Sequence, residues 1–215
     1  MYEFDWSVVL DPHLWLQAMG VTIAYAVVTS IVGLALGVVL GLILVSRVPG
    51  LTLLVRLYIH VFRCTPLLVQ IVWFFYALPM VTGFTMPDWF AAGLGLTLYM
   101  AAFAAEIFRA GVISIEKGQW EASTVLGFSY ATKMRHIILP QATRRMIPPI
   151  VNQAILQLKN TSLLSVVAMP DIMYAAGSLT MSTFRPLEVY TFAALLYLVI
   201  LTPVTLLANR FELKH

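Results

Sequence analysis

Residues 14–45, LWLQAMGVTIAYAVVTSIVGLALGVVLGLILV, run from Leu14 to Val45 without one charged side chain. A helix rises about 1.5 Å per residue, so roughly 20 apolar residues cross a hydrocarbon core about 30 Å thick, and this stretch is more than long enough. Gly33, Gly37 and Gly41 recur every fourth residue and share one helical face. With no side chains there, a second helix can approach closely, and the spacing predicts a packing surface.

The rest of the chain is written in the same way. Of 215 residues, 60% are hydrophobic and 11% charged, where a soluble domain carries about 25% charged residues. Further apolar runs at 57–79, 89–113, 146–168 and 188–209 are each long enough to span. The expected fold is all-α, a polytopic membrane protein of about five transmembrane helices forming a single domain over 1–215. Pro49-Gly50 predicts a turn, Pro79 the end of the second run, and Met86-Pro87-Asp88 a short outer loop. The opening MYEFDWS has no Lys or Arg, unlike a cleaved signal peptide, so the first span is expected to be retained. Cys64 is the one cysteine, expected to be a packing residue. Basic residues are retained on the cytoplasmic side of a membrane. Arg47, Arg56, Arg109, Lys117, Lys133, Arg135, Arg144, Arg145, Arg210 and Lys214 share one side if the N-terminus is outside and the C-terminus inside. The opposite side carries mainly Glu3, Asp5, Asp11, Asp88, Asp171 and Glu188. The net charge of +3 is explained by this asymmetry, and no nucleic-acid partner is implied.

One long inner loop is expected, about 113–146, and it contains EASTVLGFSYATKMRHIILP at 121–140. Glu121 to Leu126 suit a short helix that Gly127 can stop in the left-handed conformation, and Ile137, Ile138, Leu139 and Pro140 make an apolar return to the membrane. Such a helix either docks a partner or rests on lipid headgroups. The run GQWEASTVLGFSYATKMRHIILPQATR resembles the EAA loop of permease subunits from bacterial ABC importers: Glu-Ala-Ala, a glycine four residues after the last alanine, then Ile-x-Leu-Pro. Glu121, Ala122, Ser123, Gly127, Ile137, Leu139 and Pro140 occupy those positions, with Ser123 in place of the second alanine. FRCTPLLVQIVWFFYALP, AAEIFRAGVISIEKGQWEA and LKNTSLLSVV are similar to the polar amino acid uptake branch, so the resemblance covers nearly the whole chain from about residue 20. It implies a type I importer-like permease of the bacterial inner membrane. The implied partners are an ATP-binding cassette ATPase dimer, a second permease subunit, identical or different, an extracytoplasmic amino-acid-binding protein, the amino acid substrate and membrane lipid. MYEFDWS also resembles one subunit of glutamate/aspartate importers, which puts acidic amino acids slightly ahead. The EAA helix is then the ATPase-coupling helix.

No Gly-x-x-x-x-Gly-Lys phosphate loop and no zinc-spaced cluster occurs in the sequence. ATP hydrolysis therefore belongs to a separate subunit, the chain itself is not an enzyme, and no cofactor is expected. His13, His60, His136 and His215 are scattered and point to no metal. Within the fourth run, Lys159 lies thirteen residues beyond Met146, about 20 Å into the core. A charge at that depth is costly and usually faces a cavity or partner. Gln153, Gln157, Asn160 and Thr161 form one polar stripe, with Asn152 and Lys159 on a neighbouring face. The stripe reads as a substrate pathway or as interhelical hydrogen bonding. Glu106 and Arg109, three apart, are expected to pair with each other, and Arg63 to mark the inner start of the second helix. Many relatives in the resembled family carry an acidic residue where this chain has Asn160, which disfavours a cationic substrate. The competing class is a secondary amino acid transporter independent of an ATPase, which would use intramembrane carboxylates and broken midplane helices.

Overall fold

The computed structural model describes residues 2–46 and 48–212, with side chains as far as Leu206. Arg47 and Lys214, and the side chain of Arg210, lie outside the described residues. All regular structure described is helical: α1 (Pro12–Ser46), α2 (Pro49–Cys64), α3 (Leu67–Val72), α4 (Leu78–Thr82), α5 (Asp88–Ile113), α6 (Lys117–Val125), α7 (Tyr130–Lys133), α8 (Leu139–Asn160), α9 (Ile172–Thr183) and α10 (Pro186–Glu212). By length and composition three helices can cross a membrane, or five spans result if each of two bent pairs counts as one.

The glycine face of α1 finds its partner in α5. A Cβ on Gly33 would lie 2.6 Å from Met100 Cβ, on Gly37 2.4 Å from Ala104 Cβ, and on Gly41 2.7 Å from Phe108 Cβ. The numbers rise together along both helices, so α1 and α5 run parallel. α8 runs the other way: Met146 packs on Gly111, while eleven residues on, Gln157 reaches Leu96. α10 begins beside the start of α1, with Trp15 against Phe192 at 5.1 Å and Val9, Trp15, Ala18, Val189 and Ala193 in one buried cluster. The spans thus alternate in direction, and α1 and α10 point the same way.

The expected second span at 57–79 is not one straight helix. α2 and the α3–α4 helix meet at 109° across Thr65-Pro66. Pro66 has no N–H to donate, and the residue before a proline is pushed to extended backbone; Thr65 has φ −100° and ψ 142°. Gln70 staples the break, its Nε2 donating to Phe62 O (2.9 Å), Thr65 O (3.1 Å) and Thr65 Oγ1 (2.7 Å). Pro79 does not end this run either. A π turn, Trp73–Ala77, precedes it, α4 continues to Thr82, and Gly83 at φ 68° closes the helix. The same device recurs at Met134–Ile138, ahead of Leu139-Pro140. In each case the leucine before the proline donates to a carbonyl five residues back, Leu78 to Trp73 and Leu139 to Met134. The wider turn admits a proline inside a continuing helix.

Three further expectations are corrected. The fourth helical rod begins at Tyr130, not near 146, and reaches Val167 through a 3-10 segment, Thr161–Val167. The region between 168 and 187, expected as an outer loop, contains α9, capped by Asp171, whose carboxylate accepts from Tyr174 N at 2.8 Å. Cys64 is exposed on the subunit rather than packed.

Candidate functional site

At the end of the bundle where α1 and α5 finish, the chain builds an elbow. α6 stops in a Schellman motif: Gly127 takes φ 74°, Gly127 N donates to Thr124 O (3.0 Å) and Phe128 N to Ser123 O (3.1 Å). Ser129 then caps α7, accepting from Thr132 N at 3.2 Å, and Lys133 Nζ donates to Thr124 Oγ1 at 2.9 Å, tying the arms of the elbow together. Its inner side is packed: Ser123 is buried and donates to Trp120 O, and Val112, Ile115, Met134, Ile138, Ala142 and Met146 form one buried cluster. Ile137 and Leu139 are half-buried against that cluster and Pro140 is exposed.

The outer side is left open. Glu121, Ala122 and Gly127 are exposed, and Val125 and Leu126 expose 87% and 69% of their surface, with Phe128 and Tyr130 beside them. Large aliphatic side chains this bare at the tip of a tightly capped helix form an apolar knob, the kind of surface that marks an interaction site. A Cβ added to Gly127 would meet nothing within 4 Å, so the position demands glycine for its backbone angle and not for space.

The polar arc of the fourth span is divided by the packing. Gln153, Gln157 and Thr161 are buried inside the subunit. Gln157 Nε2 donates to Thr29 Oγ1 and to Leu96 O, both at 2.9 Å, bridging α1, α5 and α8. Asn160 is half-buried, whereas Lys159 is exposed on the face that also carries Asn152 and Leu156. Glu106 and Arg109 form the expected ion pair, Arg109 Nε lying 3.0 Å from Glu106 Oε2. Arg63 sits in the last turn of α2 with its guanidinium 5.1 Å from the Phe103 ring centroid.

A feature that sequence reasoning missed lies at the other end. Glu188 is fully buried; Tyr2 OH donates to its Oε2 (2.6 Å) and Asp5 N to its Oε1 (2.9 Å), with Arg185 Nη1 3.4 Å from Oε1. Hydrogen bonds from Ser7 hold the neighbouring Asp5 carboxyl below the usual carboxylate range. The available signal was a carboxylate two residues after a proline at a helix start, which favours the positive helix terminus. Among the described residues, no group of three or more His, Cys, Asp or Glu is arranged to hold a metal.

An all-α bundle of alternating candidate spans with a capped, exposed helix at one end is the build of a polytopic membrane protein. Residues 33–214 match the family of binding-protein-dependent transport system inner membrane components, and the chain belongs to that family. It is therefore a multi-pass inner-membrane protein and a transport subunit. It is 35% identical over 199 residues to the arginine transport system permease protein ArtQ of Bacillus subtilis (strain 168), covering 93% of this chain and 91% of that one. It is 40% identical over 213 residues to a probable amino-acid ABC transporter permease protein, PatM, of Vibrio harveyi (97% and 95% covered). To the glutamate/aspartate import permease protein GltK of Escherichia coli O157:H7 it is 31% identical over 218 residues, covering 97% of each. Among solved structures, an amino acid ABC transporter crystallised with histidines superposes with TM-score 0.93 at 30% identity, over the full length of both chains. These relatives set aside the secondary-transporter class.

Proposed function

We propose that this chain is the permease subunit of an ATP-driven importer of polar amino acids, acidic ones ahead of the rest, in which α6 is the coupling helix seated on an ATPase subunit. The observation that carries the reading is the exposed knob of Val125, Leu126, Phe128 and Tyr130 behind the left-handed Gly127, held rigid by the Schellman bonds. Glu121, Ala122, Ser123 and Gly127 set the shape of the docking helix, and Ile137, Leu139 and Pro140 join it to the fourth span. The N-terminus lies outside and the C-terminus inside, which puts the elbow in the cytoplasm with the basic residues around it.

The transport cycle is alternating access. Closure of the ATPase pair pushes α6, and the continuous helical rod from Tyr130 to Val167 carries that displacement through the membrane. The open face of this rod, with Lys159 and Asn160, lines the substrate pathway against a second permease, while Gln153, Gln157 and Thr161 hold the face in place. The ammonium of Lys159 suits the α-carboxylate that every amino acid brings. A ligand shifts such an equilibrium only through different affinity for the two states, so the site inside the permease is expected to be weak and the binding protein to supply the capture step.

The test is uptake into proteoliposomes. Chain, second permease, ATPase and binding protein together should accumulate labelled amino acid only with ATP, and glutamate or aspartate should compete best. Uptake that persists without the ATPase, driven by an ion gradient, would overturn the proposal.

A further inference from the structure

A cleft of about 1130 Å³ opens where α1 ends, α2 begins, α5 ends and α6 starts; the open face of α8 takes no part in it, and of the docking knob only Tyr130 lines it. It runs into a second cavity of about 660 Å³, with Leu44, Arg56 and Arg109 common to both. Arg56, Arg109 and Lys117 line the first, and Arg63 extends the row into the second. One carboxylate, Glu106, answers these four cations, and it is already engaged by Arg109. Arg56 and Lys117 have no hydrogen bond or ion pair among the described residues.

The walls are of a different character. Leu53 on α2 is 70% exposed and Ile113 on α5 60% exposed, and Trp120 and Tyr130, residue types that settle at a membrane–water boundary, also line the cleft. The cleft thus combines cations with exposed apolar side chains at the level where spans end. Soluble phosphate matches only the cations. A zwitterionic lipid brings its own ammonium and leaves the excess of positive charge standing.

We propose that this cleft binds an anionic glycerophospholipid of the cytoplasmic leaflet, its phosphate held by Arg56, Arg109 and Lys117 and its acyl chains lying along Leu53 and Ile113. Clusters of basic side chains between spans on the cytoplasmic side have the charge and depth for such headgroups. The bound lipid bridges α2 to the first residue of α6, so its occupancy steadies the helix on which coupling depends. This rests on the reading that the elbow faces the cytoplasm and docks the ATPase.

The experiment uses the complete transporter complex equilibrated with equal phosphatidylglycerol and phosphatidylcholine, lipid retention being read by native mass spectrometry. The unaltered complex should retain phosphatidylglycerol preferentially. Arg56→Gln with Lys117→Gln should lose the preference by roughly 30-fold, two surface cations' worth, and Arg56→Lys with Lys117→Arg should keep it. Millimolar inorganic phosphate should not displace the lipid. Equal retention of both lipids by the unaltered complex, or unchanged preference in the Gln variant, overturns the proposal. So does cross-linking of Arg56→Cys to a second permease, or altered amino acid selectivity in Arg56→Gln, because either gives the cleft another occupant. ATP-driven uptake is measured on the same preparations. In the unaltered complex, absence of lipid preference with uptake intact removes only the lipid site, and lipid preference without ATP-driven uptake removes only the importer reading.

Discussion

Gly20 and Gly37 sit in the same helix and make opposite demands. A Cβ on Gly20 would meet nothing within 4 Å, whereas one on Gly37 would fall 2.4 Å from Ala104 Cβ and 3.0 Å from Ala101 O. Gly37→Val should therefore lower the stability of the purified subunit by about 1–3 kcal/mol or more, because neither helix backbone can give way. Gly20→Val should leave its thermal unfolding in detergent unchanged. The sequence made this legible, since a four-residue period of glycine on an apolar helix has one evident physical use. The polar arc was half legible. Spacing placed Gln153, Gln157, Asn160 and Thr161 together, but it does not tell which side of that arc meets the same subunit. Gln157 turns inward to Thr29 and Leu96, while Lys159 stays on the open face. Gln157→Ala should accordingly cost about 0.6–2 kcal/mol of stability, read by thermal unfolding, with amino acid selectivity unchanged. Lys159→Met should cut ATP-driven uptake severalfold without loss of stability. Equal effects of both variants on selectivity would place them on one pathway.

Among elements, the helices that sequence described well were those with uniform apolar runs, α1 and α5, whose ends fall close to the expected ones. The helices misjudged were those where a proline had to be weighed. Thr65-Pro66 breaks its run by 109°, while Pro79 and Pro140 are absorbed by π turns and break nothing. The difference lies in hydrogen bonds made outside the proline's own turn. Gln70, four residues past Pro66, gathers the carbonyls of Phe62 and Thr65, so both are hydrogen-bonded at the sharp bend. Gln70→Leu should leave those carbonyls without a donor and destabilise the subunit by about 1–3 kcal/mol, measurable as a lowered unfolding midpoint in detergent. An unchanged midpoint would mean that Thr65-Pro66 alone fixes the bend. α9 escaped notice because its twelve residues are too short for a span; its cap, Asp171, accepts from Tyr174 N three residues on, as an N-cap side chain does.

At the scale of the molecule, alternating helix directions set α6 at the opposite end of the bundle from the clamp that Tyr2, Asp5 and Arg185 make around Glu188. The proposed orientation puts the α6 end, with its basic residues, on the cytoplasmic side. With Cys64 replaced by serine, a cysteine at Glu3 should react with an impermeant thiol reagent added to intact cells, and one at Gly118 should react only after permeabilisation. Reaction of both from outside would invert or redraw the topology. In the proposed cycle the molecule is a lever whose handle is α6 and whose arm is the rod from Tyr130 to Val167. Gly127 is where the handle is shaped, and the space around it is empty, so a bulky residue there should spare the fold, at a backbone cost of about 1–2 kcal/mol, and spoil the docking surface. The most direct measurement is ATP hydrolysis by the reconstituted complex, with and without amino acid-loaded binding protein, for the unaltered chain and for Gly127→Trp inserted at equal level. The unaltered complex should show stimulation by loaded binding protein, and Gly127→Trp should abolish both stimulation and uptake while the permease remains folded; full stimulation and uptake with Trp at position 127 would contradict the assignment of α6 as the coupling helix.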